Sequence, residues 1–159
     1  MSTYSIVIVD DELDAITTLE KFLGKYCPNV EIVGTADCVE AAVKLLNEVE
    51  PDLLLLDIRM PDCSGFNVLK QYNSTKTKTI FATSYDAFAI DAFKVRAIDY
   101  LLKPINPLQL RESINNATEQ IRMKNALKEL NEILQQQQVD RIALPAQDGK
   151  FLTAINDII

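Results

Sequence analysis

The stretch PDLLLLDIRMPDCSG, residues 51–65, places four consecutive leucines directly before an aspartate. An unbroken apolar run of this kind is typical of a central strand in a parallel sheet, because helices cover both faces of such a sheet. Asp57, which follows the run, is either a cap for the next turn or a functional group at the carboxyl end of a strand. The ends of the other strands decide between these alternatives.

Apolar runs alternate with amphipathic stretches between residues 4 and 102. The helical stretches 13–26 and 39–49 each repeat apolar residues on one face. This alternation predicts an α/β fold in which helices cover both faces of a parallel sheet. The predicted strands are residues 4–9, 31–36, 52–56, 79–83 and 97–102.

The composition limits the classes of function. The net charge of −7 argues against binding of nucleic acid or of an anionic membrane through the overall field. The chain has no histidine, which excludes Ser-His-Asp and Cys-His catalysis. Neither a signal peptide nor an apolar run of roughly 20 residues is present. We therefore expect a cytoplasmic protein with no membrane segment.

Polar side chains follow or end four of the five predicted strands. Asp10 and Asp11 follow the first strand, and Asp57 follows the third. Thr83 ends the fourth strand, and Lys103 follows the fifth. Because the carboxyl ends of parallel strands lie at one edge of a sheet, we expect these side chains to meet. Their convergence favours a functional site over a set of independent caps.

The grouping of three carboxylates predicts a bound cation, because close acidic groups raise one another's pKa. Oxygen ligands without histidine or cysteine favour Mg²⁺. Such an ion could neutralise an incoming phosphoryl group while Asp57 attacks it as a nucleophile. Lys103 would place a compact positive charge on the phosphoryl oxygens, and Thr83 would donate a hydroxyl hydrogen bond.

Four segments, VDDE (9–12), LLLLDIRMP (53–61), FATSY (81–85) and DYLLKPI (99–105), resemble the signature of response-regulator receiver domains. The resemblance covers about residues 4–122. It implies a flavodoxin-like (CheY-like), doubly wound sheet of five parallel strands in the order 2-1-3-4-5, with an extended C-terminal helix. It also implies a phospho-acceptor signalling domain, not an enzyme, which promotes its own phosphoryl transfer and dephosphorylation.

The resemblance assigns roles to the acidic residues. Asp57 would be phosphorylated by a partner sensor histidine kinase. Asp10 and Asp11 would hold Mg²⁺ directly or through water. Asp57 and the backbone carbonyl of Arg59 would complete the protein's share of the metal ligands.

The resemblance also implies a conformational switch. Thr83 and Lys103 would contact the phosphoryl group, and the Lys103–Pro104 peptide bond would be cis. Thr83 would move toward the phosphate while Tyr100 swings inward. This change would remodel the surface of the fourth helix, fifth strand and fifth helix, through which a homodimer would form.

The segment YDAFAIDAFKVRAIDYLLKPI (85–105) is similar to receivers that precede LytTR-type DNA-binding domains. DRIALPAQDGKFLTAINDII (140–159) resembles the opening strands of such a domain. We therefore expect a receiver at 1–122, a helical linker or coiled coil at 123–138 and a fragment of a LytTR domain at 139–159. DNA binding would need the part of that domain that is missing here.

A long helix is predicted at residues 107–138, with two apolar faces. The first face should dock on the receiver and contains Leu110, Ile114, Ala117 and Ile121. The second face is out of phase by one position and contains Met123, Leu127, Leu130 and Leu134. It is either the drifting stripe of a linker helix or a surface that pairs with another copy, with help from the receiver surface.

Three rival functions stand against a phosphorylated receiver. An FMN-binding flavodoxin lacks support, since Asp10 and Asp11 would repel the cofactor's phosphate. A haloacid-dehalogenase phosphatase needs a second acid two residues after its nucleophile, where Arg59 stands. The remaining alternative is a pseudo-receiver that binds partners without phosphorylation, although such a protein would normally have lost some of the acidic or lysine positions present here.

Overall fold

Five parallel strands form the central sheet in a computed structural model, which describes residues 3–60, 63–85 and 95–143. The strands are β1 (Tyr4–Val9), β2 (Val30–Ala36), β3 (Leu53–Leu56), β4 (Lys78–Thr83) and β5 (Asp99–Leu102). Neighbouring strands pair in the order β2-β1-β3-β4-β5, so the predicted fold class and strand order are confirmed.

The leucine run forms the middle strand of this sheet. Leu53–Leu56 are 0 to 1% exposed, and β3 pairs with β1 on one side and β4 on the other. Burial on both faces explains why this strand has no polar alternation. The central run therefore fixes the position of Asp57, which follows it directly.

Helices α1 (Leu13–Tyr26) and α2 (Val39–Val49) begin and end at the predicted residues. The sulfur of Cys38 accepts a hydrogen bond from the backbone N–H of Ala41 and caps α2. Helix α3 (Gly65–Gln71) follows a short antiparallel pair made by Arg59–Met60 and Cys63–Ser64. The fourth helix of the expected dimer surface falls in the part of the chain outside the described residues.

Several predicted strand starts were wrong by one or two residues. β2 and β4 begin one residue earlier than predicted, at Val30 and Lys78. β3 begins at Leu53, because Asp52 instead exchanges hydrogen bonds with Ser5, whose N–H donates to the Asp52 carboxylate at 3.0 Å. β5 begins at Asp99 instead of residue 97.

The late start of β5 has a local cause in the turn before it. Arg96 has a φ of 62°, in the left-handed region. After this turn the N–H of Ile98 donates to the carbonyl of Thr79 at 2.7 Å, and residue-by-residue pairing with β4 begins at Asp99, which lies opposite Ile80.

The C-terminal helix (Pro107–Ala143) is five residues longer than the predicted 107–138. Neither proline nor glycine occurs between Pro107 and Pro145, so no residue in this range interrupts the helix. Residues 139–143, expected to open a DNA-binding domain, are therefore helical. The rest of that predicted fragment, 144–159, lies outside the described residues.

The chain divides into two compact units, Met1–Glu119 and Gln120–Ile159. The predicted receiver bounds, 1–122, stay a prediction. In the first unit Leu110, Ile114 and Ala117 are fully buried, as predicted for the docking face. Ile121, the fourth position of that face, is 9% exposed in the second unit. Among the described residues, none of the helices has both the length and the apolar character needed to span a membrane.

Candidate functional site

Backbone pairing brings the polar ends of β1, β3 and β5 to one edge of the sheet. The N–H of Asp57 donates to the carbonyl of Val9 at 2.9 Å, which places the two aspartates after β1 and β3 side by side. The N–H of Lys103 donates to the carbonyl of Thr83 at 2.8 Å. The predicted convergence of strand ends therefore follows directly from the parallel register.

Lys103 connects two of these carboxylates. Its ammonium nitrogen lies 2.6 Å from Oδ2 of Asp10 and 3.3 Å from Oδ2 of Asp57. Asp10 and Asp57 are only 1% and 5% exposed, so both carboxylates have lost most of their solvent. The Lys103–Pro104 peptide bond is cis.

Burial and neighbouring charges shift the pKa of both Asp10 and Lys103. Burial raises the pKa of Asp10, the charge of Asp57 adds to this effect, and hydrogen bonds from Lys103 and the N–H of Glu12 only partly oppose it. Burial alone would lower the pKa of Lys103, but its hydrogen bonds and the charges of Asp10 and Asp57 raise it overall. The ammonium group therefore stays protonated at neutral pH.

A three-residue acidic cluster lies beside this ion pair. Ligand oxygens of Asp10, Asp11 and Glu12 all lie within 4.8 Å of one another, the one such group found among the described residues. The N–H of Glu12 donates to Oδ1 of Asp10 at 2.9 Å. Glu12 has no role in the prediction from sequence, although it is the last residue of VDDE. This hard-oxygen donor set matches the ligand preference of Mg²⁺.

Asp57 and Arg59 lie outside this group of three. Oδ1 of Asp57 accepts a hydrogen bond from the N–H of Arg59 at 3.3 Å, while its Oδ2 faces Lys103. The predicted role of the Arg59 carbonyl as a metal ligand stays a prediction.

Tyr85 connects Thr83 to Tyr100. The Thr83 side chain is fully buried, and its Oγ1 accepts a hydrogen bond from the N–H of Tyr85 at 3.5 Å. The Tyr100 hydroxyl donates to the backbone carbonyl of Tyr85. The guanidinium carbon of Arg59 lies 4.6 Å from the centre of the Tyr85 ring. No pattern in the sequence predicts this ring contact.

Gly65 is a further residue that supports the site and that no sequence pattern singles out. A Cβ built there would overlap the backbone carbonyl oxygen of Asp57 and lie 3.0 Å from Cα of Ile58. The Gly65 N–H donates to the Ile58 carbonyl at 2.5 Å. The start of α3 therefore packs directly on the backbone that carries Asp57, and only glycine fits this close approach.

Comparisons with known proteins agree with this geometry. Residues 6–115 match the family model of the response regulator receiver domain. The chain is 35% identical to the sensory transduction protein LytT of Bacillus anthracis over 161 residues, which covers 97% of the chain and 63% of LytT. It is 34% identical over 124 residues to the positive alginate biosynthesis regulatory protein of Pseudomonas aeruginosa, covering 77% of the chain and 50% of that protein.

A solved structure gives the same result at the level of the fold. The response regulatory domain of protein mrkE from Klebsiella pneumoniae superposes with a TM-score of 0.68 and 27% identity, over 75% of this chain and 98% of that one. The chain spans less than two thirds of the length of the two curated relatives described. It therefore belongs to the response-regulator receiver domain family, as the receiver part of a two-component response regulator related to LytT.

Proposed function

We propose that Asp57 accepts a phosphoryl group from the phosphohistidine of a sensor histidine kinase in the cytoplasm, and that this modification switches dimerisation to control a LytTR-type transcriptional output. The observation that carries the proposal is the contact of one partly buried lysine ammonium, that of Lys103, with the buried carboxylates of both Asp10 and Asp57. This arrangement supplies a nucleophile and a fixed positive charge at the edge of the sheet where phosphate would enter.

In the transfer step, a carboxylate oxygen of Asp57 forms a new bond to phosphorus. The bond between phosphorus and the kinase's imidazole nitrogen breaks, and the imidazole leaves with that electron pair. Lys103 stabilises the charge on the phosphoryl oxygens, since its raised pKa keeps the ammonium group protonated. Attack by water on phosphorus later releases phosphate and restores the free carboxylate.

The acidic cluster fits the predicted Mg²⁺ site. Asp10 and Asp11 would hold the ion, with Glu12 as a third carboxylate at the same place. Asp57 and the carbonyl of Arg59 complete the proposed ligand set. When bound, the ion would neutralise negative charge on the phosphoryl oxygens. The raised pKa of Asp10 supports the proposal, because a buried carboxylate beside a second one gains most from a cation.

Thr83, Tyr85 and Tyr100 are the proposed route from the phosphoryl group to the surface. The Thr83 hydroxyl now accepts from the N–H of Tyr85, and phosphorylation would offer it a stronger, charged acceptor. A move of Thr83 would change the position of Tyr85, whose carbonyl binds the Tyr100 hydroxyl. Tyr100 lies in β5, part of the surface proposed to dimerise together with the fourth and fifth helices.

Sedimentation with and without acetyl phosphate and Mg²⁺ tests the proposed function. We expect the dimer fraction of the wild-type chain to rise on phosphorylation, and that of an Asp57→Asn variant to stay constant. The phosphorylated fraction is followed by intact mass in the same samples. A chain that takes up no phosphoryl group would instead favour the pseudo-receiver alternative, and a phosphorylated chain that remains monomeric would contradict the switch.

A further inference from the structure

The second unit carries an apolar stripe in water. Five large apolar side chains within twelve residues of the C-terminal helix are about half exposed. The apolar side chains on the first face of the same helix are buried by comparison. Contiguous exposed apolar patches on soluble proteins are a common mark of interaction surfaces. They are Met123 (55%), Leu127 (60%), Leu130 (49%), Ile133 (55%) and Leu134 (48%).

We propose that residues 123–134 pair in parallel and in register with the same segment of a second copy of the chain. This inference rests on the proposed function, in which phosphorylation brings two receivers together, and it adds a second interface to that dimer. The spacing, charge, polar boundaries and length of the segment all bear on this pairing.

The spacing of the stripe is that of a self-pairing helix. Met123, Leu127, Leu130 and Leu134 follow steps of four, three and four residues, the spacing of the a and d positions in a coiled coil. The buried face of the helix would continue at residue 124, where a lysine stands. The stripe is therefore a separate seam with its own phase.

The charge of the segment favours a second copy over a strongly charged partner. Residues 123–134 contain two basic and two acidic side chains and so carry no net charge, within a chain of −7. The segment itself therefore adds no net repulsion to the pairing of two acidic chains. In a parallel pair, Ala126 would face Asn131 of the second copy and Ile133 would face Gln138 of the second copy, so no like charges meet across these positions.

Polar residues at both ends define the register of the seam. Gln120 and Gln137 occupy the next core positions before Met123 and after Leu134. Polar side chains at core positions fix register in coiled coils, and in a parallel pair each glutamine meets its own counterpart. Parallel pairing also leaves both receivers at the same end of the helices, as contact between receivers requires. An antiparallel pair would separate them.

The seam is too short to hold two copies together by itself. Twelve residues of helix are about 18 Å long, whereas stable interfaces bury about 1,200–2,000 Å². Helix pairing therefore needs a second contact, which phosphorylated receivers would supply. This dependence makes the pairing responsive to phosphorylation instead of permanent.

Disulfide cross-linking in the full chain tests the register. The background carries Cys38→Ser and Cys63→Ser and keeps the buried Cys27. With acetyl phosphate and Mg²⁺, we expect Leu134→Cys to form a covalent dimer at least roughly tenfold more than Glu132→Cys on the outer face, because pairing raises the effective concentration of thiols. Efficient linking only in a mixture of Leu134→Cys with Met123→Cys would indicate antiparallel pairing and overturn the inference.

A disruptive variant separates this inference from the proposed function. The double variant Leu127→Glu/Leu130→Glu changes exposed residues only, with Lys128→Glu as its outward-facing control. We expect the double variant to take up phosphate normally by intact mass but to lose the dimer in sedimentation.

Two outcomes contradict different parts of the account. Normal dimerisation of the phosphorylated double variant would overturn helix pairing and leave the receiver function intact. The same result is expected if a later part of the chain, and not a second copy, contacts the stripe. A failure of every variant and of the wild type to take up phosphate would instead overturn the proposed function.

Discussion

The ammonium nitrogen of Lys103 lies 2.6 Å from Oδ2 of Asp10, although the two residues are 93 positions apart in the chain. Even with this partner, burial keeps the pKa of Asp10 above its usual value. The ionised form of Asp10 therefore costs stability in the absence of a metal ion. The proposed Mg²⁺ site needs this carboxylate ionised, whereas the metal-free fold is more stable when it is neutral.

Asp10→Asn should raise the free energy of unfolding of the metal-free chain at neutral pH. A raised carboxyl pKa favours the folded state below 3.8, the ordinary pKa of an aspartate, and this contribution is lost as the pH rises through the folded value. The variant's advantage should thus grow from acid to neutral pH. Urea unfolding in chelator across this range measures it.

Mg²⁺ provides the control for this experiment. The ion should stabilise the wild-type chain more than Asp10→Asn, because the variant lacks one proposed ligand. A variant that is less stable than the wild type in chelator at neutral pH would show that the Lys103 contact outweighs the burial of Asp10.

Gly65→Ala should destabilise the fold and slow phosphorylation, because the added Cβ would overlap the Asp57 carbonyl oxygen. Overpacking of this kind costs about 1–3 kcal/mol. Gly24→Ala is the matched control, since a Cβ at this helical position has nothing within 4 Å. It should be neutral or stabilise by about 0.4–1 kcal/mol. Thermal unfolding and the rate of mass change on addition of acetyl phosphate report both effects, and equal behaviour of the two variants would rule out the close approach.

Thr83→Ala should still accept a phosphoryl group but dimerise poorly. The change removes the hydroxyl that is proposed to move toward the phosphate and leaves Asp57 and Lys103 in place. Thr79→Ala changes the same residue type four positions earlier in β4 and should preserve the response. Intact mass and sedimentation on the same samples separate phosphorylation from signalling. Normal phosphorylation-dependent dimerisation of Thr83→Ala would count against the proposed route.

Tyr100→Phe should weaken the dimer response without changing uptake of the phosphoryl group, because it removes the hydroxyl that binds the Tyr85 carbonyl. Tyr72→Phe is the control: its hydroxyl pairs with Thr77 at 2.8 Å, away from the site. Loss of that bond should cost about 0.5–1.5 kcal/mol of stability and leave dimerisation unchanged. Equal dimerisation of wild type and Tyr100→Phe would disprove the role of this hydrogen bond.

Sequence patterns predicted the sheet well because the residues buried in the core must be apolar, and this requirement appears directly in the sequence. The leucine run before Asp57 specified the central strand, and the apolar spacing of α1 and α2 gave their bounds. Strand starts were less predictable, since they depend on local events such as the hydrogen bonds of Asp52 and the left-handed turn at Arg96. The end of the C-terminal helix was missed because a glutamine run carries no stop signal.

The residues of the site that lie at strand ends could be predicted from the sequence. The contacts that depend on tertiary packing could not. The parallel register brings Asp57 beside Asp10, and both were identified from their positions. The fit of Gly65 against the Asp57 backbone depends on how α3 packs on that backbone. The spacing of apolar residues in the sequence does not predict this packing. The stacking of Arg59 on Tyr85 likewise arises from tertiary structure alone.

Intact mass spectrometry after incubation with acetyl phosphate and Mg²⁺ tests the central claim most directly. We expect the wild-type chain to gain the mass of one phosphoryl group and Asp57→Asn to gain none under the same conditions. An unchanged mass for the wild type, or equal phosphorylation of Asp57→Asn, would contradict it.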